Sequence, residues 1–121
     1  MSKTHSTSKS FVYASEGLTK ALKDEPNLKI HFVFAILAIT LAVILKLSNI
    51  EFAILTLSIG MVIALELINT MLEALVDLVS PEIKPQAKVA KDVSAAAVLM
   101  STIVSLVIGA LLFLPKILEL F

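Results

Sequence analysis

Residues 50–79 read IEFAILTLSIGMVIALELINTMLEALVDLV, an apolar run interrupted late by Glu66, Asn69, Glu73 and Asp77. As an α-helix rising 1.5 Å per residue it is about 45 Å long, more than the roughly 30 Å hydrocarbon core of a bilayer. At 100° per residue the four polar side chains fall at about 0°, −60°, −20° and +20°, one stripe roughly 80° wide. A carboxylate at the bilayer centre costs about 2.5–3.5 kcal/mol on insertion scales, so three on one helix face need a reason. Length supplies part of it. With Ile50 at one surface, Glu66 reaches the opposite edge of the hydrocarbon, and Glu73 and Asp77 extend about 10 and 16 Å further along the axis.

Two further apolar stretches flank this one, at 28–47 and 93–114. Each is long enough to span. Ser48 and Asn49 leave room only for a tight reversal, whereas the connection 80–92 carries Pro81, Pro85 and three lysines and begins a helix ahead of the third span, giving a helix over 86–114. Upstream, Phe11, Ala14, Leu18, Ala21 and Leu22 recur at helical spacing, with Lys9, Glu16, Lys20 and Lys23 elsewhere on the wheel. That pattern predicts an amphipathic helix over 11–25 lying on the membrane surface. Pro26 then breaks the chain, with Asp24 or Glu25 placed to cap the next helix. Residues 1–10 read as a polar tail without the apolar h-region of a signal peptide. The expected fold is all-α: a single membrane domain over 1–121 with three transmembrane helices and an N-terminal amphipathic surface helix.

Composition agrees. Apolar types make up 58% and charged residues 17% of the 121 residues, and the mean hydropathy is +0.97, too apolar for a small soluble ball. Ten lysines balance ten acids with no arginine, which argues against nucleic acid as a partner. Without cysteine there are no disulfides, thiolate metal sites or Cys nucleophiles. Eight lysines lie before the first span or in the second connection, and only Lys46 and Lys116 lie on the other side. Lysine bias therefore places the N-terminus and the acidic stripe on the cytoplasmic side of the cell membrane.

Glu25, Lys91 and Asp92 reach the same edge as the stripe, so all three spans bring charged groups to one plane. Carboxylates there suit Mg²⁺, which prefers oxygen ligands and is commonly held together with substrate phosphates. A carboxylate at hydrocarbon depth could accept a proton from a lipid hydroxyl, and Lys91 could offset phosphate charge. The same stripe is also compatible with a small proton- or cation-conducting assembly, or with acids paired to Lys88 or Lys91 for packing alone. His31 and Tyr13 read as interfacial residues, and Ser94 to Ala97 as a small-residue contact. The three glycines, Gly17, Gly60 and Gly109, are too scattered to cradle phosphates.

The segment Glu66-Leu-Ile-Asn-Thr-Met-Leu-Glu73-Ala-Leu-Val-Asp77, followed by Ala90-Lys91-Asp92-Val-Ser-Ala-Ala-Ala-Val, closely resembles the signature of the bacterial integral-membrane lipid kinases, which include diacylglycerol kinase and undecaprenol kinase. The likeness extends upstream through Glu16-Gly17-Leu18 and Glu25-Pro-Asn-Leu-Lys-Ile-His31, covering about residues 11–109. It implies a homotrimer with sites between subunits at the cytoplasmic face, using ATP and Mg²⁺ on a membrane lipid alcohol. It further implies Glu66 as general base and lipid contact, and Glu25 and Glu73 as ligands of the metal and nucleotide. Asn69, Lys91 and Asp92 would arrange ATP, Tyr13 and Glu82 would touch it, and Asn27, His31 and Ala95 would line the lipid surface. Departures are Ile83 and Lys84 where many relatives carry Tyr-His, His31 in place of a carboxylate of the classical diacylglycerol kinases, and no N-terminal arginine, with Lys9 as its candidate substitute. The segments Asn-Leu-Lys-Ile-His and Leu-Val-Ser-Pro-Glu look more like the undecaprenol kinase branch, so undecaprenol is the favoured acceptor and diacylglycerol the alternative.

Overall fold

A computed structural model describes residues 6–82 and 84–121; Lys3, His5 and the rest of 1–5 of the expected tail, and Ile83, lie outside the described residues. Four helices follow in order: α1 (Thr7–Asp24), α2 (Pro26–Ile44), α3 (Asn49–Val79) and α4 (Pro85–Leu118). Among the described residues there is no strand. α2, α3 and α4 are each long and apolar enough to cross a membrane, and the chain is a multi-pass membrane protein.

α1 begins at Thr7, inside the stretch expected to be tail. Ser6 is the reason: its backbone is extended and its hydroxyl accepts from the Lys9 amide at 3.4 Å, satisfying one free N–H of the first turn. Phe11, Val12, Tyr13 and Leu18 are exposed, while Ala21 is buried where α1 meets α2 and α3. Lys20 donates to Asp24 at 2.8 Å. That hydrogen bond holds the Asp24 carboxyl below the usual carboxylate range and the Lys20 ammonium above its own. The helix stops at Glu25 (φ −108, ψ 104), because the ring of Pro26 pushes the preceding residue into extended backbone while suiting the first position of α2.

The buried residues of α2 are Leu28, Ala35 and Ala42, spaced by seven so that they form one seam against α3. Two of the three are alanine, which lets the helix axes approach closely. α2 ends at a Schellman closure: the Leu47 amide reaches the Ala42 carbonyl at 3.1 Å and the Lys46 amide reaches Val43 at 3.2 Å. Lys46 takes the left-handed position (φ 57) that this closure demands. α3 then starts with a full capping box, Glu51 N–H to Ser48 Oγ at 3.2 Å and Ser48 N–H to Glu51 Oε1 at 3.0 Å. Ala42, Leu47, Leu55 and Leu112 form a buried cluster beside this turn, and Lys116 pairs with Glu51 at 3.4 Å across to α4.

The α3–α4 contact is the most extensive in the molecule. α3 buries Leu55, Ser58, Val62, Glu66 and Asn69, steps of three and four that define one face. At mid-depth the hydroxyls of Ser58 and Ser105 share a 2.6 Å hydrogen bond, so neither is left unpaired among apolar neighbours. α4 runs through Pro115 and stops at Leu118, within the turn that follows the proline.

Candidate active site

The buried face of α3 changes character along its length. Leu55 and Val62 are apolar; one and two turns further the same face presents Glu66 and Asn69. It then continues through half-buried Glu73 to exposed Asp77. The stripe expected from the helical wheel thus runs from the interior outward.

The Glu66 side chain is only 3% exposed. Nε2 of His31, on α2, lies 3.8 Å from its Oε2. Glu25, at the junction of α1 and α2, and Glu73, two turns along α3, are near enough to act on Glu66 electrostatically. Asn69 Nδ2 donates to Glu73 Oε1 at 3.4 Å. The Thr70 hydroxyl donates to the Glu66 carbonyl at 3.0 Å, keeping a second hydroxyl within the helix backbone. From α4, Lys91 forms an ion pair with Asp77 and feels Glu73 as well. About three helical turns of α3 therefore meet groups from the α1–α2 junction, α2 and α4 in one polar cluster: Glu25, His31, Glu66, Asn69, Glu73, Asp77 and Lys91.

Other candidates lie outside that cluster. Asp92 pairs at 2.6 Å with Lys88, four residues earlier on its own helix, and is exposed. Asn27, Glu82 and Ala95 are exposed, with no hydrogen bond or ion pair of their side chains among the described residues. The Glu82 carbonyl accepts from the Ser80 hydroxyl and the Lys84 amide, each at 3.0 Å, which folds the short link before α4. Tyr13 sits on the exposed face of α1. Asp77, a member of the stripe with no expected task of its own, is the partner of Lys91. Charge alternation offered that pairing only as one of several, since Lys88 and Lys91 each had acids within reach.

Two features bear on ligands. Asn69 Oδ1 is buried and without a hydrogen-bond partner among the described residues, an acceptor that normally requires one. No group of three or more His, Cys, Asp or Glu side chains converges into a metal cage among the described residues. Mg²⁺ does not require such a cage, because it is commonly held by one or two carboxylates with substrate phosphates and water. The oxygens of Glu25, Glu73 and Asn69 are of the right chemical type. Beside the cluster, an apolar groove of about 510 Å³ runs between α2, α3 and α4. His31 lies at one end and Phe113 toward the other, with Phe34, Ile59, Ile63 and Leu106 along its walls.

Helices that cross a membrane and gather carboxylates and a lysine beside an apolar groove define a class: a membrane enzyme whose polar chemistry meets a lipid. Residues 12–113 match the family described as prokaryotic diacylglycerol kinase. The chain is 41% identical over 108 residues to the undecaprenol kinase of Bacillus subtilis, covering 89% of this chain and 88% of that one. It is also 41% identical over 112 residues to the diacylglycerol kinase of Synechocystis, covering 92% of this chain and 64% of that longer relative. With the diacylglycerol kinase of Escherichia coli it shares 31% identity over 100 residues, 83% of this chain and 82% of the other. The chain belongs to the prokaryotic diacylglycerol kinase family. It is accordingly a lipid kinase, an ATP-using phosphotransferase with an alcohol acceptor.

Proposed function

We propose that this enzyme transfers the γ-phosphoryl group of ATP to the hydroxyl of undecaprenol, giving undecaprenyl phosphate, with diacylglycerol as the competing acceptor. The observation that carries the mechanism is the burial of Glu66 beside His31, which itself lines the apolar groove. A base there meets a hydroxyl delivered from the lipid side, while the phosphates approach along the exposed part of the stripe. Glu66 accepts the hydroxyl proton as the lipid oxygen attacks, a general-base role. Glu25 and Glu73 would hold Mg²⁺, which supplies charge neutralisation to the phosphates when bound. Asn69 orients Glu73 through its amide. Lys91 and Asp92 contribute to nucleotide binding, Lys91 by exchanging Asp77 for a phosphate oxygen, and Tyr13 and Glu82 flank the nucleotide. Asn27, His31 and Ala95 border the lipid. In-line transfer then depends chiefly on positioning and electrostatic stabilisation.

The lysine distribution supports a cytoplasmic N-terminus and active site in the cell membrane. The exposed apolar face of α1 supports its lying along that surface. A homotrimer, with each site shared between subunits, is part of the same reading. The choice of acceptor rests on the His31-containing segment and the likeness to the Bacillus subtilis undecaprenol kinase. It is tested by giving the purified protein labelled ATP with undecaprenol and diacylglycerol in parallel. Undecaprenol is expected to be the better acceptor by kcat/KM; preference for diacylglycerol would reverse the assignment while leaving the chemistry in place. Ion flux through liposomes without ATP, and no lipid phosphorylation, would instead favour a conducting assembly built on the acidic stripe.

A further inference from the structure

Glu66 is the most enclosed acid of an acid-rich cluster. Each element packed around it contributes a charged or titratable group: His31 from α2, Glu25 from the α1–α2 junction and Glu73 from α3 itself. α4 directs its Lys91 to Asp77 instead. Of these three groups, His31 alone carries an N–H donor. Its Nε2 is 3.8 Å from Oε2 of Glu66, its side chain is 20% exposed, and the same residue lines the apolar groove. It borders both the buried carboxylate and the space a hydrocarbon chain would occupy. A glutamate carboxylate rotates over a broad torsional well when nothing holds it, and catalytic contacts that are long in the unliganded enzyme tighten around substrate.

We propose that His31 is a positioning residue for Glu66: its Nε2–H holds one carboxylate oxygen and leaves the other turned toward the groove, where the lipid hydroxyl arrives. This rests on Glu66 being the base. In the step itself the hydroxyl O–H bond breaks and its proton goes to the free oxygen of Glu66. The lipid oxygen bonds to the γ-phosphorus, and the bond from that phosphorus to the β,γ-bridging oxygen breaks with its electron pair left on ADP. His31 neither gains nor loses a proton.

The test uses the full-length protein in lipid vesicles, with labelled ATP and undecaprenol. His31→Ala is expected to lower kcat about 10- to 100-fold, the scale of a misplaced reacting group, while KM for ATP stays within about twofold. His31→Gln, which returns an N–H donor, should recover most of the loss, and His31→Leu, of similar size, should not. Free imidazole should partly restore His31→Ala, a response that a packing role would not give. Wild-type kcat in His31→Ala would overturn the proposal, as would equal impairment of the Gln and Leu variants with no imidazole response. Should His31→Ala fail to fold, the Gln and Leu pair decides. Glu66→Gln separates the two layers: full activity in that variant removes the base itself, whereas an inactive Glu66→Gln beside an unimpaired His31→Ala removes only the role of His31.

Discussion

The two ends of the helix bundle are built on different terms. At the turn between α2 and α3, the Schellman closure and the capping box satisfy backbone groups of both helices between Ala42 and Glu51. Ala42, Leu47, Leu55 and Leu112 pack beside it, and Lys116 and Glu51 pair across it. At the other end, α3 buries Glu66 and Asn69, leaves Asn69 Oδ1 without a partner, and holds Glu66 against an imidazole beyond ordinary hydrogen-bond length. One end closes its polar groups upon themselves; the other leaves them directed at something else. The closed turn and the polar groups proposed to bind ligands lie about 30 Å apart along α3, the rise of roughly twenty residues.

Substitutions at each end should separate these roles. The largest effect is expected from Glu66→Gln, which keeps the side-chain shape and removes the proposed base: lipid phosphorylation should fall about 10²- to 10⁴-fold, with the thermal unfolding midpoint in detergent essentially unchanged. Loss of folding together with activity would show that the carboxylate is structural and would collapse the contrast between the ends. Leu112→Ala should do the reverse, costing about 2–4 kcal/mol of stability by opening a cavity in the turn cluster, while kcat per folded enzyme stays within about twofold. Unfolding in denaturing detergent, read beside lipid turnover, measures both. The smallest change is expected from Lys46→Gly. It removes the left-handed strain at the closure and should stabilise the protein by about 1 kcal/mol without altering turnover; a destabilised variant would mean that the Lys46 side chain has a task beyond closing the helix.

The contrast also explains what was legible in the sequence. Three spans and an amphipathic helix follow from local periodicity, and the shortness of the Ser48–Asn49 link requires a tight reversal. The start of α1 was harder to place, because Ser6 is one of several Ser and Thr residues in that stretch and each is a possible cap. The Schellman closure carried no signal at all, since a lysine occupies the position where glycine or asparagine would announce it. The acidic stripe was visible because Glu66, Asn69, Glu73 and Asp77 share one helix whose geometry is fixed. Their partners were not, because the rotation of α2 and α4 against α3 depends on packing among similar aliphatic side chains. Hence Lys91 meets Asp77 while Asp92 turns to Lys88, and the groove beside His31 arises from the spacing of three helices that no single periodicity encodes.

The sealed turn has a mechanical consequence. With their joint closed at Leu47 and Ser48, α2 and α3 have the geometry of two arms that carry His31 and Glu66 side by side. From Leu47 back to His31 is sixteen residues, an arm of about 24 Å. Drawing the 3.8 Å separation in by about 1 Å, to hydrogen-bonding range, requires a swing of only about 2° at the hinge. A lipid chain settling between the arms could set that angle, so grip on the base would follow from occupancy of the groove and need no rearrangement of the turn.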